Sequence, residues 1–316
     1  MRIAFHIPIV DVRGTSVAAY DYAHYNETLL YNESIIISPI DVLHKCDEIA
    51  LKRFSDRFEM RFYADVQDLE LTIYDCEVLY VIKYGKQDGI ESKRVKTVVH
   101  CVFDMTDPHG DVYAGVSSTL AQKFGRDLYV PHMIGLKPDL SGQNMRQDLG
   151  IPEEARVFGR YGGMDTFDLQ FAREVIQQVA HEYPTDIFFL FANTPVFCSE
   201  PNVIHLNKIV DDDEKNRFIN TCDAHLECGS LGHTFGLAMG EFSVNNKPII
   251  AYMGHVWNTA HYEILGNKAI YFGNVDEFHN ILTSFSPNGW RKRDNNAYRD
   301  YSPENVMKIF TNVFLS

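Results

Sequence analysis

Residues 224–254 read AHLECGSLGHTFGLAMGEFSVNNKPIIAYMG. A strand-like run over 224–230 passes into glycines. A helical stretch over 235–246 follows and holds a single carboxylate, Glu241. The chain turns through Asn245-Asn246-Lys247-Pro248 and closes in an apolar run over 247–253. Strand, helix, strand is the unit of a parallel sheet, whose strands are apolar on both faces because crossover helices cover them. The glycine-rich entry GSLGHT places bare backbone N–H groups at the positive end of the helix dipole, which favours an anion such as a phosphate. His233 stands at the mouth, and Glu241 lies about two turns further in. A carboxylate among Phe235, Leu237, Met239 and Phe242 requires a partner unless it is solvated, as it would be on a plain buried helix after a tight turn.

The same alternation extends outward in both directions. Upstream come a strand over 2–10, a helix over 16–31 with Thr15 or Ser16 as cap, a strand over 33–39, one helix over 41–57 and a strand over 58–64. Strands over 78–85 and 96–103, a strand and helix over 112–125, and a last strand-like run over 127–134 complete the first half; 68–76 is ambiguous. The polar stretch GLKPDLSGQNMRQDLGIPEEA, 135–155, has no sustained apolar period and reads as a linker. Alternation then restarts with the strand RVFGRYGG and a strongly amphipathic helix over 165–183 capped by Asp165 or Thr166. It continues to closing helices over 275–285 and 302–315. The pattern predicts an α/β chain of two doubly wound Rossmann-like domains, 1–140 and 141–316, with ligands in the cleft between them and the last helix packing back on the first domain.

Composition bounds the partners. The chain has 316 residues, 45% of them hydrophobic, enough for two cores. A net charge of −14 repels a phosphate backbone, so nucleic acid is not the expected partner, although a local cationic pocket can still hold a phosphorylated small molecule. The six cysteines form no CxxC pair and read as reduced, buried thiols. No segment approaches the roughly 20 apolar residues of a membrane span, and MRIAFHIPIV is too short for a signal peptide, which makes the cytoplasm the expected location. The sequons at Asn26 and Asn32 are read as chance.

GHTFGLAMGEFSVNNKPIIA resembles the signature of GT-B glycosyltransferases of the family-4, retaining type, in which two Glu eight places apart flank a Gly/Thr-Phe-Gly-Leu run and a Lys-Pro-Val-Ile strand follows. In that family the second Glu holds the ribose of a nucleotide-sugar donor, a role that carries onto Glu241. The first Glu contacts the donor sugar; His233 stands there and takes its place. ARVFGRYGGMDTFDL resembles the start of the family's second domain, where an Arg and, five places on, a Lys bind the diphosphate. Arg160 matches the Arg, and Asp165 occupies the Lys position. Backbone amides of Gly162 and Gly163, or Lys208, then supply the missing attraction, with Ile209 and Val210 lining the base. Thr234, Phe235 and Gly236 complete the expected donor set at the helix entry. In the first half, DVRGTSVAAYDYA resembles the family's glycine turn, with Gly14 near the donor phosphates, and His100 matches a His that faces the transferred sugar; the alternative is a strand-end histidine satisfied by backbone.

The resemblance implies transfer of a sugar from a UDP- or GDP-linked donor to a glycan or other hydroxyl acceptor. The donor is a co-substrate, no separate cofactor or metal is implied, and the catalytic pair is His100 and His233. The departures at 233 and 165 keep open a catalytically inactive protein of the same fold that binds a nucleotide or glycan, and a sugar-phosphate epimerase remains a third class. Asp211-Asp212-Asp213 reads as a helix cap rather than a metal motif, and Arg291-Lys292-Arg293 as a solvated loop.

Overall fold

A computed structural model describes all 316 residues. They form two compact units, Met1–Gly135 with Tyr301–Ser316, and Leu136–Asp300. The first contains β1 (Arg2–His6), α1 (Gly14–Thr28), β2 (Glu33–Pro39), α2 (Glu48–Arg57), β3 (Glu59–Tyr63), α3 (Val66–Thr72), β4 (Val78–Lys83), β5 (Lys96–Cys101), β6 (Val112–Gly115) and α4 (Ser118–Lys123). Its six strands are all parallel, in the order β3-β2-β1-β4-β5-β6. Every residue of β4 is buried, as a central strand covered on both faces must be.

The second unit contains β7 (Arg156–Tyr161), α5 (Gln170–Glu182), β8 (Ile187–Ala192), β9 (Val203–Leu206), α6 (Asp212–Thr221), β10 (Ala224–Glu227), β11 (Gly232–His233), α7 (Leu237–Val244), β12 (Ile249–Tyr252), β13 (Asn258–Thr259), α8 (Ala260–Leu265), β14 (Ala269–Phe272), α9 (Val275–Ser284) and α10 (Pro287–Arg291). Its main sheet runs β14-β12-β10-β7-β8-β9, again all parallel, and β11 and β13 form a separate two-stranded parallel ribbon. Counted within each unit, both main sheets therefore have the doubly wound order 3-2-1-4-5-6.

The last helix, α11 (Pro303–Phe310), belongs to the first unit. Phe310 stacks on Tyr22 of α1 at 5.3 Å between ring centroids, and Phe314 meets the ring of His100 at 5.3 Å. Burial of these rings outweighs the loop needed to bring the chain back.

Local chemistry moves several expected boundaries. β1 stops at His6, two residues before Pro8, which has no N–H for the ladder. The helix expected over 41–57 is divided: Ile40–Lys45 forms a 3-10 turn, and the Asp47 carboxylate accepts from the N–H groups of Ile49 and Ala50 to start α2 afresh. Neither Thr15 nor Ser16 caps α1, which begins after an extended Arg13; the Ser16 hydroxyl instead donates to the Ile9 carbonyl at 3.1 Å. The run over 127–134 reaches the sheet only through a bridge between Tyr129 and Gly115. α5 starts at Gln170 after Leu169, so Asp165 and Thr166 are not its cap.

The stretch read as a linker is anchored to the second unit. The Arg146 guanidinium donates to the carbonyls of Pro152, Glu153 and Ala155 and to the Asp223 carboxylate, and Asn216 of α6 donates to the Lys137 carbonyl. Asp223 also pairs with Arg291 at 2.8 Å, so one residue of the expected solvated basic loop is tied down. All six cysteines are free, five of them buried, and Asn26 of the first sequon is wholly inside the core.

Candidate functional site

A doubly wound sheet binds ligands outside the carboxyl ends of its strands, where the strand order reverses. In the second unit that point lies between β7 and β10. Arg160 is the penultimate residue of β7 and Glu227 the last of β10, so sheet topology alone brings a cation and an anion to the same edge.

Arg160 is 2% exposed. Its guanidinium donates to Thr194 Oγ1 at 2.6 Å, to the Gly163 carbonyl at 3.0 Å and to Thr166 Oγ1, and it lies over the ring of Phe167. All three partners are neutral oxygens, and no carboxylate lies within ion-pair distance of it. Burial lowers its pKa, against the longer-range attraction of Glu227. A buried cation without a paired anion is costly, and the cost is recovered when an anionic ligand arrives. The glycine loop after β7 is built around this side chain: Gly163 receives its hydrogen bond, and the Gly162 carbonyl accepts from Asn193 Nδ2 at 2.7 Å.

The second cluster surrounds α7. Gly236, at φ +92°, precedes the helix in a left-handed conformation that favours glycine. Thr234 and Phe235 are buried, and the Phe235 carbonyl accepts from the Tyr298 hydroxyl at 2.7 Å. Glu241 is buried and has two partners: Lys215 Nζ donates to Oε1 at 2.9 Å, and the Tyr161 hydroxyl donates to Oε2 at 2.6 Å. Those partners account for a carboxylate inside an apolar helix. Two of the roughly four lone-pair directions of the carboxylate are used, which leaves acceptor capacity.

The third cluster is histidine-rich. His233, on β11, lies with its Nε2 3.0 Å from Glu227 Oε1. Glu227 is buried and also accepts the Gly229 N–H at 2.9 Å. Burial alone would raise its pKa, but His233 and His225 together hold it well below the ordinary carboxylate range. His255 Nε2 bonds the Gly229 carbonyl, and His255 Nδ1 meets the Tyr262 hydroxyl at 2.6 Å. His261 packs its ring edge-on against those of both His233 and His255.

The expected site residues thus separate. Arg160, Gly162, Gly163, His233, Thr234, Phe235, Gly236 and Glu241 all belong to the second unit, at or beside the carboxyl edge of its sheet. Lys208, Ile209 and Val210 are half-buried in the segment joining β9 to α6. Gly14 is the exposed first residue of α1 in the other unit. His100 is in that unit too, fully buried, with Nδ1 bonded to the Tyr80 hydroxyl at 2.7 Å and Nε2 to the Val130 carbonyl at 2.8 Å. Burial lowers its pKa to about 4. In this arrangement it is a neutral core histidine with both ring nitrogens engaged.

Sequence reasoning missed Glu227, Lys215, Tyr161, Thr194 and His261. Two of these left a signal. Lys215 falls three and four places before Phe218 and Ile219, on the apolar face of its helix. Glu227 ends an otherwise apolar strand. The others are joined to the site only by the fold.

No family model and no curated protein matches this chain. Solved structures do, several of them over nearly their whole length. Anabaena HepE in complex with UDP-glucose superposes with a TM-score of 0.70 at 13% identity, covering 99% of this chain and 95% of that one. WaaG, a glycosyltransferase involved in lipopolysaccharide biosynthesis, gives 0.68 at 10% identity, covering 98% and 99%. A glycosyltransferase from Rickettsia africae gives 0.66 at 12% identity, covering 99% and 94%. At such identities the likeness establishes the fold, two parallel six-stranded sheets arranged as in GT-B glycosyltransferase structures.

Proposed function

We propose that this protein transfers a sugar from a nucleoside-diphosphate-sugar donor to a hydroxyl acceptor, with the donor held by the second unit. The observation that carries the reading is Arg160: a guanidinium buried at the topological switch point and partnered only by neutral oxygens is a site prepared for an anion. The donor diphosphate is that anion. Glu241, oriented by Tyr161 and Lys215, accepts the ribose hydroxyls. His233, held by Glu227, contacts the sugar in place of the family's carboxylate. The fold shared with HepE, whose structure holds UDP-glucose, supports the same chemistry.

Glycosyl transfer builds positive charge on the sugar and negative charge on the leaving diphosphate. Arg160 and the backbone N–H groups at the start of α7 oppose the latter before the reaction begins, which is how a preorganised site lowers a barrier. That provision supports metal-independent transfer, and the resemblance to the retaining family supports retention. The acceptor is a glycan or another hydroxyl compound. No helix is long and apolar enough to cross a membrane.

The test is to measure binding of UDP, GDP and the matching nucleosides to wild type and Arg160→Met. Loss of a charged hydrogen bond predicts a diphosphate affinity lower by about 1.5–3 kcal/mol, with the nucleoside little changed. Equal losses for diphosphate and nucleoside would make Arg160 structural. Release of nucleoside diphosphate from one of a panel of nucleotide sugars separates an enzyme from a binding protein: binding without release, acceptors included, overturns the transfer reading.

A further inference from the structure

We infer that Glu227 is a positioning residue for donor-sugar recognition: it holds the proton of His233 on Nε2 and so presents Nδ1 of the same ring as a hydrogen-bond acceptor for a hydroxyl of the donor sugar. The inference rests on the reading of this unit as the donor site.

Three observations place it. First, Glu227 Oε1 lies 3.0 Å from His233 Nε2, an ion-pair contact, and the protein gives Nδ1 of that ring no hydrogen bond. A carboxylate that close attracts the ring proton to Nε2, and in the neutral ring Nδ1 then keeps its lone pair. Second, Glu227 cannot turn away. It ends β10, is 5% exposed, and the Gly229 N–H donates to the same Oε1 at 2.9 Å. A Cβ at Gly229 would sit 2.9 Å from that oxygen and 2.7 Å from the Thr166 carbonyl oxygen, so the turn after β10 closes tightly on the carboxylate. Third, the His261 ring packs edge-on against that of His233 at 5.6 Å and limits its rotation. Its side chain is 27% exposed, so the ring is reachable, while Glu227 is not.

The chemistry follows. A carboxylate at position 233 would accept sugar hydroxyls directly. Here the carboxylate is withdrawn to the strand end, and an imidazole relays its acceptor character outward by one ring. A neutral Nδ1 accepts one hydroxyl where a carboxylate can accept two, so the pocket reads fewer hydroxyls on the sugar.

Arg160 on β7, His225 on β10, His255 after β12 and His261 on α8 lie around the same carboxylate. Removing the carboxylate frees the tautomer.

Two measurements on the intact chain test this. Nitrogen NMR of His-labelled protein, assigned with His233→Gln, reports the tautomer without any ligand. Wild type is expected to carry the proton on Nε2, and Glu227→Met, which has no oxygen to accept it, to show mixed tautomers or a proton on Nδ1. Binding of UDP and GDP is then compared with that of a panel of their sugars. Glu227→Met should bind the bare diphosphate within about twofold of wild type but lose about tenfold of the extra affinity conferred by the sugar, and adding it to His233→Gln should cost nothing further. An Nδ1–H tautomer in wild type, a spectrum unchanged in Glu227→Met, or independent losses in the double variant would overturn the proposal. Wild type that binds none of these nucleotides would overturn the donor reading instead, and leaves the tautomer result to decide on Glu227. Equal weakening of bare diphosphate and nucleotide sugar would mark Glu227 as merely structural.

Discussion

Tyr161 and Glu241, 80 residues apart in sequence, share a hydrogen bond of 2.6 Å. It joins the end of β7, which carries Arg160, to the middle of α7. The two halves of the proposed donor site are thereby held by one carboxylate, whose other oxygen meets Lys215 at 2.9 Å. Glu241 is at once a candidate ribose ligand and a structural tie, and its variants separate the two roles.

Glu241→Ala is expected to take from Lys215, whose side chain is 8% exposed, its 2.9 Å partner and leave the longer 3.9 Å contact with Asp212, lowering unfolding stability by about 3 kcal/mol. Glu241→Gln keeps an acceptor for Lys215 and a partner for Tyr161 and should lose less. Urea denaturation of both, with UDP and GDP affinity measured on the folded protein, checks this. If Glu241→Gln binds nucleotide as wild type does, the carboxylate serves the fold alone.

Acid should loosen the first unit through two histidines. His6 is 2% exposed, and burial lowers its pKa to about 4, with Asp88 opposing and Lys83 assisting; His100 is fully buried and is likewise lowered to about 4. Both are neutral in the fold and charge in the unfolded chain near pH 6.5. Between about pH 6.5 and 4 the unfolded state therefore binds more protons, and stability falls as pH falls, by about 1.4 kcal/mol per pH unit for each group. The stability of His100→Gln plotted against pH should be shallower than that of wild type by one proton over this window, read from urea midpoints at several pH values. Parallel curves would mean that His100 titrates alike in both states.

The turn after β10 should tolerate no side chain. Gly229→Ala places its methyl 2.7 Å from the Thr166 backbone oxygen, which is rigid, and 2.9 Å from Glu227 Oε1, which must give way. Such overpacking costs about 1–3 kcal/mol. It should also push Glu227 from His233 and lower the affinity for nucleotide sugars more than that for bare diphosphate. Gly125→Ala is the control: φ is +65° there but nothing lies within 4 Å of the new methyl, so only backbone strain of about 1 kcal/mol is expected. Equal effects at the two sites would remove the steric argument.

Much of this molecule is legible in its sequence because parallel α/β structure writes itself locally. The βαβ reading of 224–254 holds in β10, α7 and β12, and the alternation around it becomes two sheets of six strands. Strand identity follows from apolar runs such as VLYVIK, and caps such as Asp211 follow from a side chain reaching an N–H three residues on, at 2.9 Å. Glu241 stood out because a charge inside an apolar run needs a reason, and Arg160 because its strand and loop resemble the start of the family's second domain.

Tertiary structure decided what the charges touch. Position 233 alone shows a histidine where a carboxylate is expected; only the pairing of β10 beside β7 and the fold of the 228–233 turn bring Glu227 to it. His100 reads as a strand-end histidine open to a sugar or to backbone, and the choice fell to Tyr80 on a neighbouring strand and to Val130, 30 residues away. Lys215, Tyr161 and Glu241 lie in three separate elements, and no spacing relates them. Periodicity and capping are carried by neighbours along the chain, whereas hydrogen bonds and desolvation depend on atoms brought together across it. The sequence by itself therefore determines where strands and helices form, and the packing of those elements determines which carboxylate, which ring nitrogen and which guanidinium are left to face a ligand.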